Sequence, residues 1–165
     1  FSEEDYFQLI SAKTASLMSA ACELGALAGM SQYRVPLAQF GHHLGMAFQI
    51  ADDLLDYTGS EAVTGKPSGH DLRERKVTLP LVSALSRATE TEIREIRRFF
   101  TRIDPLDEEI GRIVDIVEER GGLEYTRVRA AEYAERAEAV LEGLEAGAAV
   151  EALRGAVSYA VGRSR

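Results

Sequence analysis

The chain has 165 residues, 45% of them hydrophobic, with 27 Asp plus Glu against 19 Lys plus Arg for a formal charge of -8. The hydrophobic share suffices for a packed core, and the acidic balance excludes the basic face that a nucleic-acid partner needs. Cys22, the one cysteine, excludes an internal disulfide and fits a reducing, cytoplasmic setting. No apolar run reaches the roughly 18 residues of a membrane span, since Leu17 to Met30 is broken by Glu23.

Strands find almost no support, because alternating segments are absent and long tracts are rich in Ala, Leu, Glu and Arg. The first predicted helix covers 4–30. Its stripe Lys13, Leu17, Ala20, Ala21, Leu24 and Ala28 recurs at helical spacing, and Ala15, Ser19, Ala26 and Gly29 offer a small-residue face for close helix packing. The second covers 36–57, with Pro36 suited to its first turn. Helices over 77–87, 89–102, 107–119, 122–142 and 147–162 follow, with breaks at Asp104-Pro105, at Gly121-Gly122 and from Gly143 to Gly147. The pattern predicts one all-α unit over 1–165, with no internal repeat and no disordered linker.

The end of the second helix carries the chemistry. At about 100° per residue, Gln49, Asp52 and Asp56 fall in one column with Asp53 beside it, while Met46, Ala47, Phe48, Ile50, Ala51, Leu54 and Leu55 cover the other directions. A helix apolar on so many sides belongs in a core, and carboxylates are almost never buried unless paired or metal-bound. Acids pointing one way also repel one another. The pattern asks for a cation in front of them, and hard oxygen ligands suit Mg²⁺ or Mn²⁺ better than zinc. A solvated last turn is the bland alternative, but acids carry the wrong sign for a helix C-terminus.

Residues 58–76 contain Gly59, Gly65, Gly69 and Pro67 among several hydroxyl side chains, and read as an ordered loop. The loop places Lys66, His70, Arg73, Arg75 and Lys76 near the acids in sequence. Mg²⁺ usually keeps several waters and binds through one or two carboxylates plus substrate phosphates, while lysines neutralise the remaining phosphate charge. Gly65 and Gly69 would let the backbone come close to phosphates. Joined to the aspartates, the loop predicts a diphosphate site; by itself it would be ordinary surface. Nothing in the sequence assigns a role to His70.

Phe48-Gln49-Ile-Ala-Asp52-Asp53-Leu-Leu-Asp56, followed by Thr64-Gly65-Lys66, Gly69-His-Asp71-Leu and Lys76-Val-Thr-Leu-Pro80, resembles the second aspartate-rich motif and trailing loop of the trans-isoprenyl diphosphate synthases, or polyprenyl synthetases. Lys13-Thr14 is similar to the Lys-Thr pair of an earlier helix in that family, and Gly121-Gly122-Leu-Glu-Tyr125 with the run to Arg165 is similar to its C-terminal helices. The resemblance implies an isoprenoid-synthase-like helical bundle and a prenyltransferase. In that chemistry Mg²⁺ bridges the aspartates and an allylic diphosphate, an allylic carbocation forms, and isopentenyl diphosphate attacks it. The resemblance makes Asp52, Asp53 and Asp56 the catalytic acids. Asp52 would be a direct metal ligand, and Asp56 and Asp71 would act directly or through water. Lys13, Thr14, Gln49, Lys66 and Lys76 would contact the diphosphate.

The chain departs from the family pattern in one respect. A first aspartate-rich motif belongs well before the Lys-Thr pair, yet only twelve residues precede Lys13, and Glu3, Glu4 and Asp5 have the wrong spacing. The expectation is therefore the C-terminal half of a synthase, truncated or split, and inactive alone. The aspartate helix looks apolar on too many sides for the remaining helices to cover, so a homo-oligomer is expected as well. The alternative is a noncatalytic regulatory subunit of a heteromeric synthase, although such a subunit has no physical need for the acids, the loop lysines and Lys13. A hydrolase or terpene cyclase acting on a similar diphosphate is a third reading, but a cyclase would resemble a different second metal motif. Product length is not legible, because the family residues that set it lie just before the first motif.

Overall fold

The structure, a computed structural model, describes residues 1–59 and 69–162, and every regular element among them is helical. Helix α1 (Glu3–Ile10) passes through a π-helical turn, Ser11–Ala15, into α2 (Ser16–Ala28). A 3₁₀ turn, Ser31–Tyr33, leads into α3 (Arg34–Thr58). There follow α4 (His70–Arg73), α5 (Leu79–Leu85), α6 (Glu90–Thr101), α7 (Asp107–Glu119), α8 (Gly122–Glu142) and α9 (Ala148–Gly162). The all-α reading is correct and the long helices fall where periodicity places them. The π turn and the four-residue α4 are new, since neither is long enough to leave a periodic signature. No helix among the described residues is long and apolar enough to cross a membrane.

The described residues gather into two compact units, Phe1–Tyr6 with Asp52–Arg127, and Phe7–Ala51 with Val128–Arg165. Their boundaries fall inside α1, α3 and α8, so no linker composition marks them. In the first unit, Leu72, Leu81, Ile96, Phe99, Ile113 and Ile116 form the core. Gly121, at a φ of 70°, makes the turn between α7 and α8. A Cβ on Gly122 would lie 2.3 Å from the Pro80 carbonyl oxygen, so the second glycine opens α8 against α5 rather than ending α7.

Helix α6 begins with a capping box in which the Glu92 amide donates to the Thr89 hydroxyl and the Thr89 amide donates to Glu92 Oε2 at 2.7 Å. Arg120 grips the same carboxylate at 2.7 and 3.0 Å. The Arg120 guanidinium, helped by the Thr89 amide, lowers the Glu92 carboxyl from 4.5 to about 2. A depressed carboxyl stabilises the fold above its unfolded value and loses that stabilisation as pH falls through the folded one. Glu92→Gln is therefore expected to lower the melting temperature at neutral pH and to flatten its fall between 4.5 and about 2. Circular-dichroism melts across that range check this; an unchanged acid limb would mean that the pair does not hold the fold.

In the second unit, Phe40, Ala47, Ala137, Leu141, Val150 and Val157 form the core. Close packing between α2 and α3 uses the small residues picked out on the first helix. Ala15 and Ala26 are buried, and Ser19 donates to the Ala38 carbonyl at 2.8 Å. The small-residue face is thus used within the chain, and Leu17 and Leu24, 74% and 65% exposed, are what α2 shows to solvent. Met46, Ile50 and Leu54 are all buried, so the aspartate helix is covered within the chain, contrary to the expectation. Within the second unit, Phe40 and Ala47 of α3 pack with Ala137 and Leu141 of α8 and with Val150 and Val157 of α9.

Candidate functional site

The acidic end of α3 separates its three aspartates by burial. Asp53 is 5% exposed and accepts a hydrogen bond from the Tyr6 phenol at 2.7 Å. Asp52 is exposed. Asp56 is half-buried and accepts the backbone N–H of Asp71 at 3.0 Å. Burial pushes the Asp56 carboxyl up, and the Asp71 charge adds to this, while the Asp71 amide and Lys76 pull it down. Burial therefore demands a partner at Asp53 and in part at Asp56, whereas Asp52 is exposed. One helical step of about 100° is enough to turn Asp53 into the core and leave its neighbour in water.

The far end of the loop is tied back to α3. The Gly69 amide donates to the Asp56 carbonyl at 2.9 Å, and Gly69 takes a φ of 75° to open α4. Asp71 Oδ1 receives the Lys76 ammonium at 3.0 Å, and Lys76 also reaches Glu74 at 2.5 Å. Glu74 first and Asp71 second hold the Lys76 ammonium well above the usual lysine range. His70 Nε2 lies 3.4 Å from Glu74 Oε1. Lys66 lies outside the described residues.

Lys13, Thr14 and Gln49 belong to the second unit. Lys13 and Thr14 sit on the π turn, a rare conformation that is frequent at functional sites. Lys13 is exposed, while Thr14 donates its hydroxyl to Gln49 Oε1 at 2.8 Å, joining two predicted site residues 35 positions apart. Tyr6 and Glu74 were not visible as site residues in the sequence. Tyr6 left one signal, a hydroxyl on a ring at a core-facing position, which requires a polar partner.

Among the described residues, no group of three or more His, Cys, Asp or Glu side chains gathers closely enough to hold a metal ion. A closed protein cage is therefore absent there, and Mg²⁺ held largely by substrate phosphates does not need one. The donors fit that metal: all are carboxylate oxygens, Asp52 is exposed, and a cation would relieve the raised Asp56 carboxyl.

The polyprenyl synthetase family model matches residues 1–117. An all-trans-nonaprenyl-diphosphate synthase (geranyl-diphosphate specific) of Rhodobacter capsulatus is 42% identical over 141 residues, covering 85% of this chain and 43% of that protein. The octaprenyl diphosphate synthase of Escherichia coli (strain K12) is 38% identical over 170 residues, covering 99% and 51%. The crystal structure of a polyprenyl synthase from Caulobacter crescentus CB15, complexed with calcium and isoprenyl diphosphate, superposes with a TM-score of 0.91 at 38% identity over 100% of this chain and 50% of that one. The chain thus spans about half the length of the curated relatives it matches. Residues 1–117 take in the Lys-Thr pair, the three aspartates and Asp71 to Lys76, and on that match the chain belongs to the polyprenyl synthetase family.

Proposed function

We propose that this chain is the part of a trans-polyprenyl diphosphate synthase that supplies the second aspartate-rich motif for condensing isopentenyl diphosphate with an allylic diphosphate. The end of α3 carries this reading: Asp52 stands open to solvent while Asp56 is bonded to the first turn of α4 through the Asp71 amide. The calcium and isoprenyl diphosphate named with the Caulobacter relative support it. A bound divalent ion, Mg²⁺ with Mn²⁺ as substitute, supplies Lewis-acid withdrawal of charge from the leaving diphosphate. Asp52 would hold that ion directly, with Asp56 and Asp71 acting directly or through water. Lys76 shares its ammonium between Asp71 and Glu74 and would exchange one of these partners for a phosphate oxygen. On the resemblance of the sequence, Lys13, Lys66, Thr14 and Gln49 would be further diphosphate contacts. A cytoplasmic setting fits the single Cys22, and homo-oligomers through the exposed Leu17 and Leu24 fit the apolar stripe of α2. The chain alone should not elongate a primer.

Calorimetric titration of inorganic diphosphate into the chain, with and without Mg²⁺, tests the reading. Binding that requires Mg²⁺ is expected, and its absence at millimolar diphosphate would overturn the proposal. Lys13→Ala, Lys66→Ala and Lys76→Ala should each weaken that binding by about one to two decades, since a charge-assisted contact is worth roughly 1.5–3 kcal/mol. Unchanged affinity in all three would return these lysines to the solvated surface.

A further inference from the structure

Tyr6 and Asp53 lie 47 residues apart, yet the phenol donates to Asp53 Oδ2 at 2.7 Å, with the two residues 1% and 5% exposed. This is a charge-assisted O–H···O contact, the stronger class of hydrogen bond. Burial, with the Asp53 charge next, pushes the Tyr6 hydroxyl well above the usual phenol range, so it remains a donor. A second such bond fixes the same end of α1: the Tyr125 hydroxyl donates to Glu3 Oε1 at 2.6 Å. The first turn of α1 is thereby held at both Glu3 and Tyr6, and Tyr6 sets the direction of the Asp53 carboxylate. That carboxylate points into the core, while Asp52, one helical step away, faces solvent.

We propose that Tyr6 is a positioning residue that keeps Asp53 as a buried anchor of the α3 end, leaving Asp52 and Asp56 as the aspartates of that helix available to a divalent cation with its diphosphate. The inference rests on the functional reading above and gives Asp53, which the sequence already sets beside the column of Asp52 and Asp56, an anchoring role of its own. Two substitutions separate the roles. In Asp53→Asn the amide oxygen still accepts the Tyr6 hydroxyl, so the helix end keeps its place. In Tyr6→Phe a buried carboxylate loses its phenol donor, and the helix end must shift or the acid must take up a proton.

The test is calorimetric titration of the chain and its variants with Mg²⁺ and inorganic diphosphate, with far-ultraviolet circular dichroism recorded on each variant. Asp53→Asn is expected to bind like the parent chain, and Asp52→Asn and Tyr6→Phe to bind about tenfold or more weakly. The double variant Tyr6→Phe/Asp53→Asn should recover most of the loss, because a neutral amide strands no charge; a merely structural phenol would give no such recovery. Should Tyr6→Phe unfold, the comparison of Asp53→Asn with Asp52→Asn still decides. An Asp53→Asn loss equal to that of Asp52→Asn would make Asp53 a ligand and overturn this inference alone, as would a Tyr6→Phe variant that folds and binds like the parent. A parent chain that does not bind diphosphate with Mg²⁺ would overturn the functional reading and this inference with it.

Discussion

Asp52→Ala is expected to leave the melting temperature of the chain nearly unchanged while weakening Mg²⁺-dependent diphosphate binding by about two decades or more. The side chain is exposed, and substitutions at such positions usually stay within about 0.5 kcal/mol. Removing one carboxylate from a helix end that also carries Asp53 and Asp56 relieves repulsion, which opposes any small loss. The ligand effect runs the other way, because loss of a group that merely supports a metal ligand already costs about 10–100-fold in affinity or activity. In a full-length polyprenyl diphosphate synthase that carries this segment, the proposed role predicts that turnover falls by orders of magnitude. Calorimetry on the chain and a condensation assay on the complete enzyme are the measurements. Near-parental values in both would exclude Asp52 from the metal site.

Gly45→Val should be among the most damaging single changes in the second unit. A Cβ at Gly45 would sit 2.6 Å from Ala15 Cα and 3.3 Å from Ala15 N, and backbone atoms cannot rotate aside as a side-chain end can. Overpacking of this kind costs about 1–3 kcal/mol, occasionally more. The strain falls on Ala15, the last residue of the π turn, and so on the segment that presents Lys13 and Thr14. The 2.8 Å bond from Thr14 to Gln49 should loosen with it. Gly25→Ala is the control, since nothing lies within 4 Å of the added carbon and α2 is helical there; it should gain about 0.5–1 kcal/mol from backbone entropy alone. Thermal melts of both variants check this, and a Gly45→Val melt equal to the parent would deny the close approach of α3 to the turn.

Periodicity at 3.6 residues made α3 and the helices from α5 through α9 legible, because which residues share a helix face depends on local geometry alone, whereas the four-residue α4 fell in a stretch read as loop. Pro36 marked a first helical turn, and Asp104-Pro105 and Gly143 to Gly147 marked breaks, through the backbone angles that proline and glycine impose. The family likewise rests on short runs such as Asp52 to Asp56 and Lys76 to Pro80, which are complete in the sequence. Which of two adjacent aspartates turns inward was not legible there, since that depends on what packs against α3. Tyr6 arrives from 47 residues away to claim Asp53, and Asp71 folds back from 15 residues away to bond Asp56. The same holds for the π turn, which fits against the bare backbone at Gly45, and for Lys76, whose partners Asp71 and Glu74 meet it only because α4 forms. A sequence stripe records which side chains share a direction, whereas burial and pairing belong to the neighbours met in that direction, and only the folded chain brings those neighbours together.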